Sequence, residues 1–326
     1  MYMAIDLEGV FDPTDIWSAR KRISPHIYRT PLVYSDSLSK LTGSEVYLKP
    51  ECWQRCGCFK VRGAVSHVST LSKEELAKGL VTASSGNHAL AVAFASTLFG
   101  KPPTRIYVPE DADPAKVKRI MEWDPELVYH GSSFFDAYKE ARRYENETGA
   151  TFVHSHGDPR VIAGQGTIGL EVMEDLPDVD SILVPIGGGG LVSGISVAAK
   201  TISDKVRIIG VEPFAAPGAY TSLRDGVAHE EIEIEESIAD GLLGGFGSLP
   251  FQICSKTVDE THLVTDAEII EAMRAFQTEE QLMVEAASSV GLAALMTGKV
   301  EAKGEKVVLI VTSRNIDAAK YNQLIG

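Results

Sequence analysis

The chain of 326 residues reads as an α/β protein whose sheets are twisted, mostly parallel and covered by helices. Two observations predict that class. Short β-rich runs alternate with helical patterns along nearly the whole chain, at the spacing that βαβ units require. Three apolar runs also end directly in small or polar residues, in "VTASSGNH", "ILVPIGGGGL" and "LIVTSRN". Open α/β sheets gather ligands outside the carboxyl ends of their strands, so these three loops are expected to converge on one site.

In chain order, the predicted strands are "EVYLKP", "GLVTAS", "TRIYVPE", "ELVYHG", "TFVHS", "SILVPIG", "VRIIGVEP" and "KVVLIVTS". Each is a short run rich in β-branched and aromatic residues, bounded by turn formers. Between them, "NHALAVAFASTLFG", "PAKVKRIMEW", "FFDAYKEARRYENETG" and "EIIEAMRAFQTEEQ" carry helical spacing. No low-complexity segment or internal repeat interrupts the alternation.

Composition narrows the function. The chain is 44% hydrophobic and 23% charged, long enough for two lobes with a sizeable core. A formal charge of −14 and the absence of a lysine- or arginine-rich run argue against nucleic acid and anionic lipid as partners. The N-terminal stretch "MYMAIDLEGVFDPTD" is acidic where a signal peptide is basic, and no apolar run approaches the ~18 residues of a spanning helix, so a cytoplasmic location is expected. Cys52, Cys56 and Cys58 form a C-x3-C-x-C cluster that lacks the CxxC spacing of zinc sites, and Cys254 is remote. They read as reduced packing residues, with the cluster a candidate pocket wall.

Three stretches carry chemistry. In "GCFKVRGA", Lys60 sits between an aromatic residue and a small apolar run, where burial would depress its pKa toward a nucleophilic neutral amine; the alternative is an ammonium that snorkels to water. In "PIGGGGLVSG", Gly187, Gly188, Gly189 and Gly190 open a helix, so backbone N–H groups free of any Cβ can converge on a phosphate at the positive end of its dipole. In "SSGNH", Ser84, Ser85, Gly86 and His88 surround a second strand-to-helix turn, which holds a carboxylate or is a plain N-cap. A rival reading is a dinucleotide fold, with Gly188, Gly190 and Gly194 as a loose fingerprint and Glu212 on a ribose. That rival leaves the lysine and the serine loop unexplained. A lysine amine, a phosphate cradle and a carboxylate cradle together describe pyridoxal-phosphate chemistry on an amino acid.

On these motifs the chain resembles the serine/threonine dehydratase family of fold type II pyridoxal-phosphate enzymes, a group that includes threonine ammonia-lyases and serine racemases. "CFKVRGA" is similar to its lysine motif, "ASSGNHALAVA" to its S-x-G-N-H loop and "PIGGGGL" to its phosphate loop. "HGDPRVIAGQGTIGLEV", "GVEP", "SIADGL" and "VEAASSVGLAAL" are similar as well, and the likeness runs from about residue 14 to 320.

The resemblance implies a tryptophan synthase β-like fold of two lobes: residues 1–70 and 157–326 form a large cofactor-binding lobe, 71–156 form a small mobile lobe, and the cofactor lies in the cleft. Lys60 would carry pyridoxal 5'-phosphate as a Schiff base and act as general base at Cα. Phe59 would pack beside the ring, Asn87 would bond its hydroxyl, Gly187 to Gly190 would hold the phosphate, and Thr312 would face the pyridine nitrogen. Ser84, Ser85, Gly86 and His88 would bind the substrate carboxylate. The implied reaction is dehydration and deamination of an L-β-hydroxy amino acid, foremost L-threonine and L-serine, to a 2-oxo acid and ammonia. The family further implies a homodimer or higher homo-oligomer. With no sequence after residue 326 for a regulatory domain, feedback control is not expected.

Several positions depart from the family pattern. The last loop has Thr312, Ser313, Arg314 and Asn315 in place of S-G-G-N, so either Ser313 is the ring-nitrogen partner or Arg314 projects into the pocket; an outward salt bridge is the plainer reading of Arg314. Ser85 stands where racemases carry their second acid, yet Ala137 replaces their carboxylate-binding arginine, which favours elimination over racemisation. Of a family cation site, Glu212 and Ala216 remain but Gly218 replaces the aspartate, leaving divalent or monovalent cation dependence open. Glu285 lies either near the cofactor ring or at the cap of the following helix.

Overall fold

The computed structural model describes residues 6–326, so the first five residues of the acidic N-terminal stretch lie outside the described part. Its strands are β1 (Val33–Tyr34), β2 (Glu45–Pro50), β3 (Leu80–Ala83), β4 (Thr104–Val108), β5 (Glu126–Tyr129), β6 (Thr151–Phe152), β7 (Ser181–Pro185), β8 (Arg207–Pro213), β9 (Glu260–Val264) and β10 (Lys306–Val311). They form two sheets, one ordered β1-β2-β10-β7-β8-β9 and the other β5-β4-β3-β6. Every pairing is parallel except that of β1 with β2.

The eight strands read from the sequence are all present, and β1 and β9 are additions. Their absence from the sequence reading has a physical cause. β1 is two residues long, and β9, "ETHLV", is an edge strand whose first four residues are only half-buried. Neither carries the uninterrupted apolar run that a parallel strand needs when covered on both faces.

The central strands of the large sheet show that double coverage directly. Val307, Leu309 and Val311 of β10 pack with Ile269, Met273 and Phe276 of helix Asp266–Glu280 and with Val290 and Leu292 of helix Ala286–Met296. Val308 and Ile310, on the other face, pack with Ile168 and Val172 of helix Pro159–Asp175 and Leu191 and Ile195 of helix Gly190–Ile202. Alternate residues of one strand therefore serve two cores. The last two helices approach so closely that a Cβ on Gly194 would lie 2.4 Å from the Gly166 nitrogen and the Ile162 carbonyl. Only a residue without a side chain permits that contact, which positions the glycine-rich start of helix Gly190–Ile202.

Candidate active site

Helix Lys60–Val68 begins at Lys60, just past a segment that joins the end of β10. The Phe59 N–H donates to the Thr312 carbonyl at 3.0 Å, and the Arg314 N–H to the Gly57 carbonyl at 3.0 Å. Lys60 is thereby fixed to the sheet by backbone bonds on its N-terminal side. Two residues later, Arg62 locks the helix on its other side. It is fully buried and donates to Glu51 at 2.7 and 2.8 Å, to Glu171 at 2.8 and 2.9 Å and to Thr167 at 3.0 Å. Buried Lys49 completes the cluster with a 2.6 Å bond to Glu171, so two cations meet two carboxylates.

Lys60 itself is half-buried, and its Nζ donates to the Ser155 carbonyl at 3.0 Å while lying 5.1 Å from the centre of the Phe59 ring. Among the described residues, no carboxylate pairs with the ammonium. Loss of hydration pulls its pKa down to about 8, against the weaker opposing pull of Cys58 and Glu285. The snorkelling alternative is thus set aside: this lysine is held inward and poised to lose its proton near neutral pH.

Linked to it through Ser155 and His156 is the loop between β7 and helix Gly190–Ile202. Among the described residues, the N–H groups of Gly187, Gly188 and Gly189 have no hydrogen-bond acceptor, although they sit at a helix N-terminus. Gly189 has φ +92, which only glycine adopts without strain. Unsatisfied N–H donors at the positive end of a helix dipole match a phosphate, and the residues present therefore fit the phosphate of pyridoxal phosphate. The loop also packs on His156, a residue the sequence reading passed over. A Cβ on Gly188 would lie 2.3 Å from His156 Nδ1. Ser155 Oγ sits 2.9 Å from the same nitrogen, and His154 lies edge-on to the ring at 4.6 Å. The dipeptide Ser155-His156 thus touches the lysine with its carbonyl and the glycine loop with its imidazole. The signal for it was "HSHGD", a fourth strand end, directly after β6, rich in polar side chains.

Asn87, at the first turn of helix Asn87–Leu98, is the hub between the two sheets. Its Nδ2 donates to Glu285 at 3.1 and 3.2 Å and to Ser313 Oγ at 3.2 Å, and its Oδ1 accepts from Asn315 Nδ2 at 2.5 Å. Glu285 makes no side-chain cap of the helix it precedes, and its side chain turns to Asn87 instead. Burial, with Asp240 nearby, pushes its pKa up to about 7. Thr312 is buried, with its hydroxyl 2.8 Å from Ser288 Oγ. Ser313, rather than Thr312, stands beside Asn87.

The remaining expected residues divide. Ser84 Oγ accepts from the Gly86 N–H at 3.2 Å, a local turn bond, and the helix takes Gly86 rather than a serine as its N-cap, with no side-chain bond. The plain N-cap alternative is therefore not what these serines do, and Ser85's hydroxyl has no partner among the described residues. His88 departs from the expected carboxylate group: it is buried, and its Nε2 lies 2.9 Å from the Val153 carbonyl. Burial and the charge of Lys60 hold its pKa down to about 3, so it packs as a neutral ring beneath the loop. Arg314 does not project into the pocket. It is exposed, its stem crosses Gly57, and it forms no ion pair among the described residues.

Glu212 is fully buried and accepts from the Ala219 and Tyr220 N–H groups at 2.8 and 2.7 Å, which caps helix Gly218–Asp225. That role places it under a helix start rather than on the ribose of the dinucleotide reading. Ala137 is buried against Val81 and Ala83 beneath β3. All four cysteines are free, and burial pushes the thiols of Cys52, Cys56 and Cys254 up to about 12 and that of Cys58 higher still. They are packing residues with little thiolate character. Among the described residues, no helix is long and apolar enough to cross a membrane.

Comparison with known proteins agrees with this geometry. The chain is 43% identical over 313 residues to an L-threonine ammonia-lyase of Thermotoga maritima, covering 96% of this chain and 77% of that one. It is 37% identical over 332 residues to the catabolic L-threonine dehydratase of Escherichia coli, covering 100% and 99%. The structure of maize serine racemase superposes with a TM-score of 0.90 at 35% identity, covering 96% of each chain. The family model described as pyridoxal-phosphate dependent enzyme matches residues 23–313, and with a lysine, a free glycine cradle and an asparagine hub gathered at the strand ends, this chain belongs to that family.

Proposed function

We propose that the chain is an ammonia-lyase that removes the β-hydroxyl and amino groups of L-threonine and L-serine, yielding a 2-oxo acid and ammonia. The observation that carries this reading is Lys60, held by the Ser155 carbonyl, with the next residue, His156, packed on the loop whose Gly187 to Gly189 N–H groups are free. The L-threonine ammonia-lyase and L-threonine dehydratase relatives, at 43 and 37% identity, support the choice of substrate.

When bound, pyridoxal phosphate supplies an electron sink for the bonds at the substrate Cα. The chain supplies the rest. With a pKa of about 8, roughly a quarter of Lys60 is neutral at pH 7.5, against roughly 0.1% for an ordinary lysine, so it serves as the base for the Cα proton. Gly187 to Gly190 hold the phosphate, Asn87 the ring hydroxyl, and Phe59 flanks the ring. The loop of Ser84, Ser85 and Gly86 takes the substrate carboxylate. Ser288 can give its proton to the Ser313 carbonyl at 2.8 Å, which frees the Thr312 hydroxyl to turn to the ring nitrogen. A hydroxyl there cannot keep that nitrogen protonated as a carboxylate would, and a weaker sink favours prompt loss of the β-substituent over transamination.

Residues 71–156 act in this reading as a small lobe that closes on 1–70 and 157–326, and two bonds support it: Lys116 Nζ to Asp240 at 2.6 Å and Arg119 Nη1 to Asn315 at 2.5 Å. By family resemblance we also infer a cytoplasmic homodimer or higher homo-oligomer, which sedimentation tests. Serine racemisation is the second reading, favoured by the unpartnered hydroxyl of Ser85. The deciding assay is 2-oxo acid release from L-threonine, L-serine, D-serine, L-threo-3-hydroxyaspartate and L-phenylserine. Release from the first two, lost in Lys60→Ala, is expected. Release only from the acidic or aromatic members would replace the substrate assignment, and none from any, with L-serine converted to D-serine, would establish the racemase.

A further inference from the structure

We propose that Asn315 and Arg119 are positioning residues that set the amide of Asn87, so that its N–H2 edge rather than its oxygen faces the cofactor. The inference rests on the reading of Asn87 as the group on the cofactor's ring hydroxyl.

An asparagine amide has a donor end and an acceptor end of nearly equal size, so neighbours of a single polarity decide which way round it sits. Asn315 has two such neighbours. The Arg119 guanidinium can only donate, and its Nη1 lies 2.5 Å from Asn315 Oδ1. The Cys56 carbonyl can only accept, and it lies 2.9 Å from Asn315 Nδ2. Both constraints point the amide the same way. Asn315 Nδ2 then has one hydrogen left, and it goes to Asn87 Oδ1 at 2.5 Å.

That contact fixes the second amide in turn. With its oxygen engaged by Asn315, Asn87 must direct Nδ2 to Glu285 at 3.1 and 3.2 Å and to Ser313 Oγ at 3.2 Å. The Asn315 N–H donates to Ser313 Oγ at 3.1 Å, so the same residue anchors both Asn87 and the hydroxyl beside it. The relay starts on helix Pro114–Met121, crosses to the loop after β10 and returns to the first turn of helix Asn87–Leu98. It is packed as well as bonded, since a Cβ on Gly57 would lie 2.6 Å from Asn315 Oδ1. Chemically, the outcome matters because the ring oxygen of the bound cofactor is electron-rich. A donor edge stabilises it once one of the two Nδ2 hydrogens shared here between Glu285 and Ser313 Oγ turns to the ring oxygen, and a reversed amide would set one oxygen against another.

The test is equilibrium titration of the cofactor-free protein with pyridoxal phosphate, followed through the visible absorption band, beside the melting temperature of each cofactor-free variant. Asn315→Asp places an acceptor against both the Cys56 carbonyl and Asn87 Oδ1, and it is expected to weaken cofactor affinity by about tenfold or more and to shift the band. Arg119→Met is expected to weaken it in the same direction, and Arg119→Lys, which keeps a donor toward Asn315, to recover most of the loss. Should Asn315→Asp fail to fold, the two Arg119 variants decide alone, since Arg119 is half-exposed.

Two results would overturn the inference while leaving the reading of Asn87 intact: Asn87→Ala weakens cofactor binding but Asn315→Asp and Arg119→Met bind as wild type, or their losses follow the melting temperature and Arg119→Lys restores nothing. If Asn87→Ala itself binds as wild type, the reading of Asn87 falls and the inference with it.

Discussion

Arg62 offers the most quantitative handle on how the fold holds Lys60. Replacing it with methionine keeps much of its apolar stem and removes a guanidinium whose bonds to Glu51 and Glu171 run from 2.7 to 2.9 Å. All four groups of the cluster are essentially excluded from water, with Lys49, Glu51 and Arg62 each at 0% exposure. Intact, the cluster is neutral. Without Arg62 it carries a net negative charge, and Glu51 keeps only the Thr30 hydroxyl at 2.6 Å as a side-chain donor. Breaking a buried pair from one side costs about 3–5 kcal/mol, mostly because the abandoned charge stays buried. At about 2.1 cal/mol/K per residue, unfolding 326 residues releases about 0.7 kcal/mol/K, so a loss of ~4 kcal/mol lowers the melting temperature by about 6 °C. Adding Glu51→Gln removes the stranded charge, leaves Lys49 paired with Glu171, and is expected to recover about half of that fall. Thermal melts of the cofactor-free proteins, monitored by circular dichroism, read both changes. A melting point within 1 °C of wild type for Arg62→Met, or a double variant no better than the single, would refute the charge-balance account and leave the cluster as simple packing.

Two further outcomes follow from the site. Burial holds His67 and His154 at about 4, His88 at about 3 and His156 well below the usual imidazole value, so all four are neutral in the fold. Their contribution to stability is present above the unfolded value of 6.5 and is lost as pH falls through it toward the folded values, at up to about 1.4 kcal/mol per pH unit for each ring. Glu285 and Glu212 act in the opposite sense, since their pKa values are raised to about 7 and about 8 and the native state gains as pH falls toward 4.5. Chemical denaturation in a pH series should therefore show stability declining below about pH 6.5 and more steeply below about 4.5; a flat profile from 6.5 to 4 would contradict neutral, buried imidazoles. At the cradle, Gly188→Ala drives a methyl group to 2.3–2.5 Å from three atoms of the His156 ring. Overpacking of that kind costs about 1–3 kcal/mol, and cofactor affinity is expected to fall about tenfold, with His156→Ala in the same chain restoring it; a loss that the second change cannot relieve would separate the loop from the ring.

How much of this was legible beforehand depended on whether a property is local. Lys60, the glycine run and the S-S-G-N-H turn announced themselves because each motif carries its chemistry within a few neighbouring residues, and the central strands because double burial demands unbroken apolar runs. The edge strands β1 and β9 escaped because half-exposed strands carry no such run. The partners of the site residues escaped for a different reason. Ser155, His156, Asn315 and Arg119 act on Lys60, Gly188 and Asn87 across 32 to 228 positions, and His88, which reads as a binding group beside its serines, is turned away by the Val153 carbonyl 65 positions on. Sequence by itself determined the fold class and the cofactor and singled out Lys60, since each is written in contiguous pattern. Tertiary structure alone decided which way the Asn87 amide is turned, that Ser313 stands beside it, and that Glu212 caps a helix, because hydrogen-bond polarity and burial are settled only when distant segments are brought into contact.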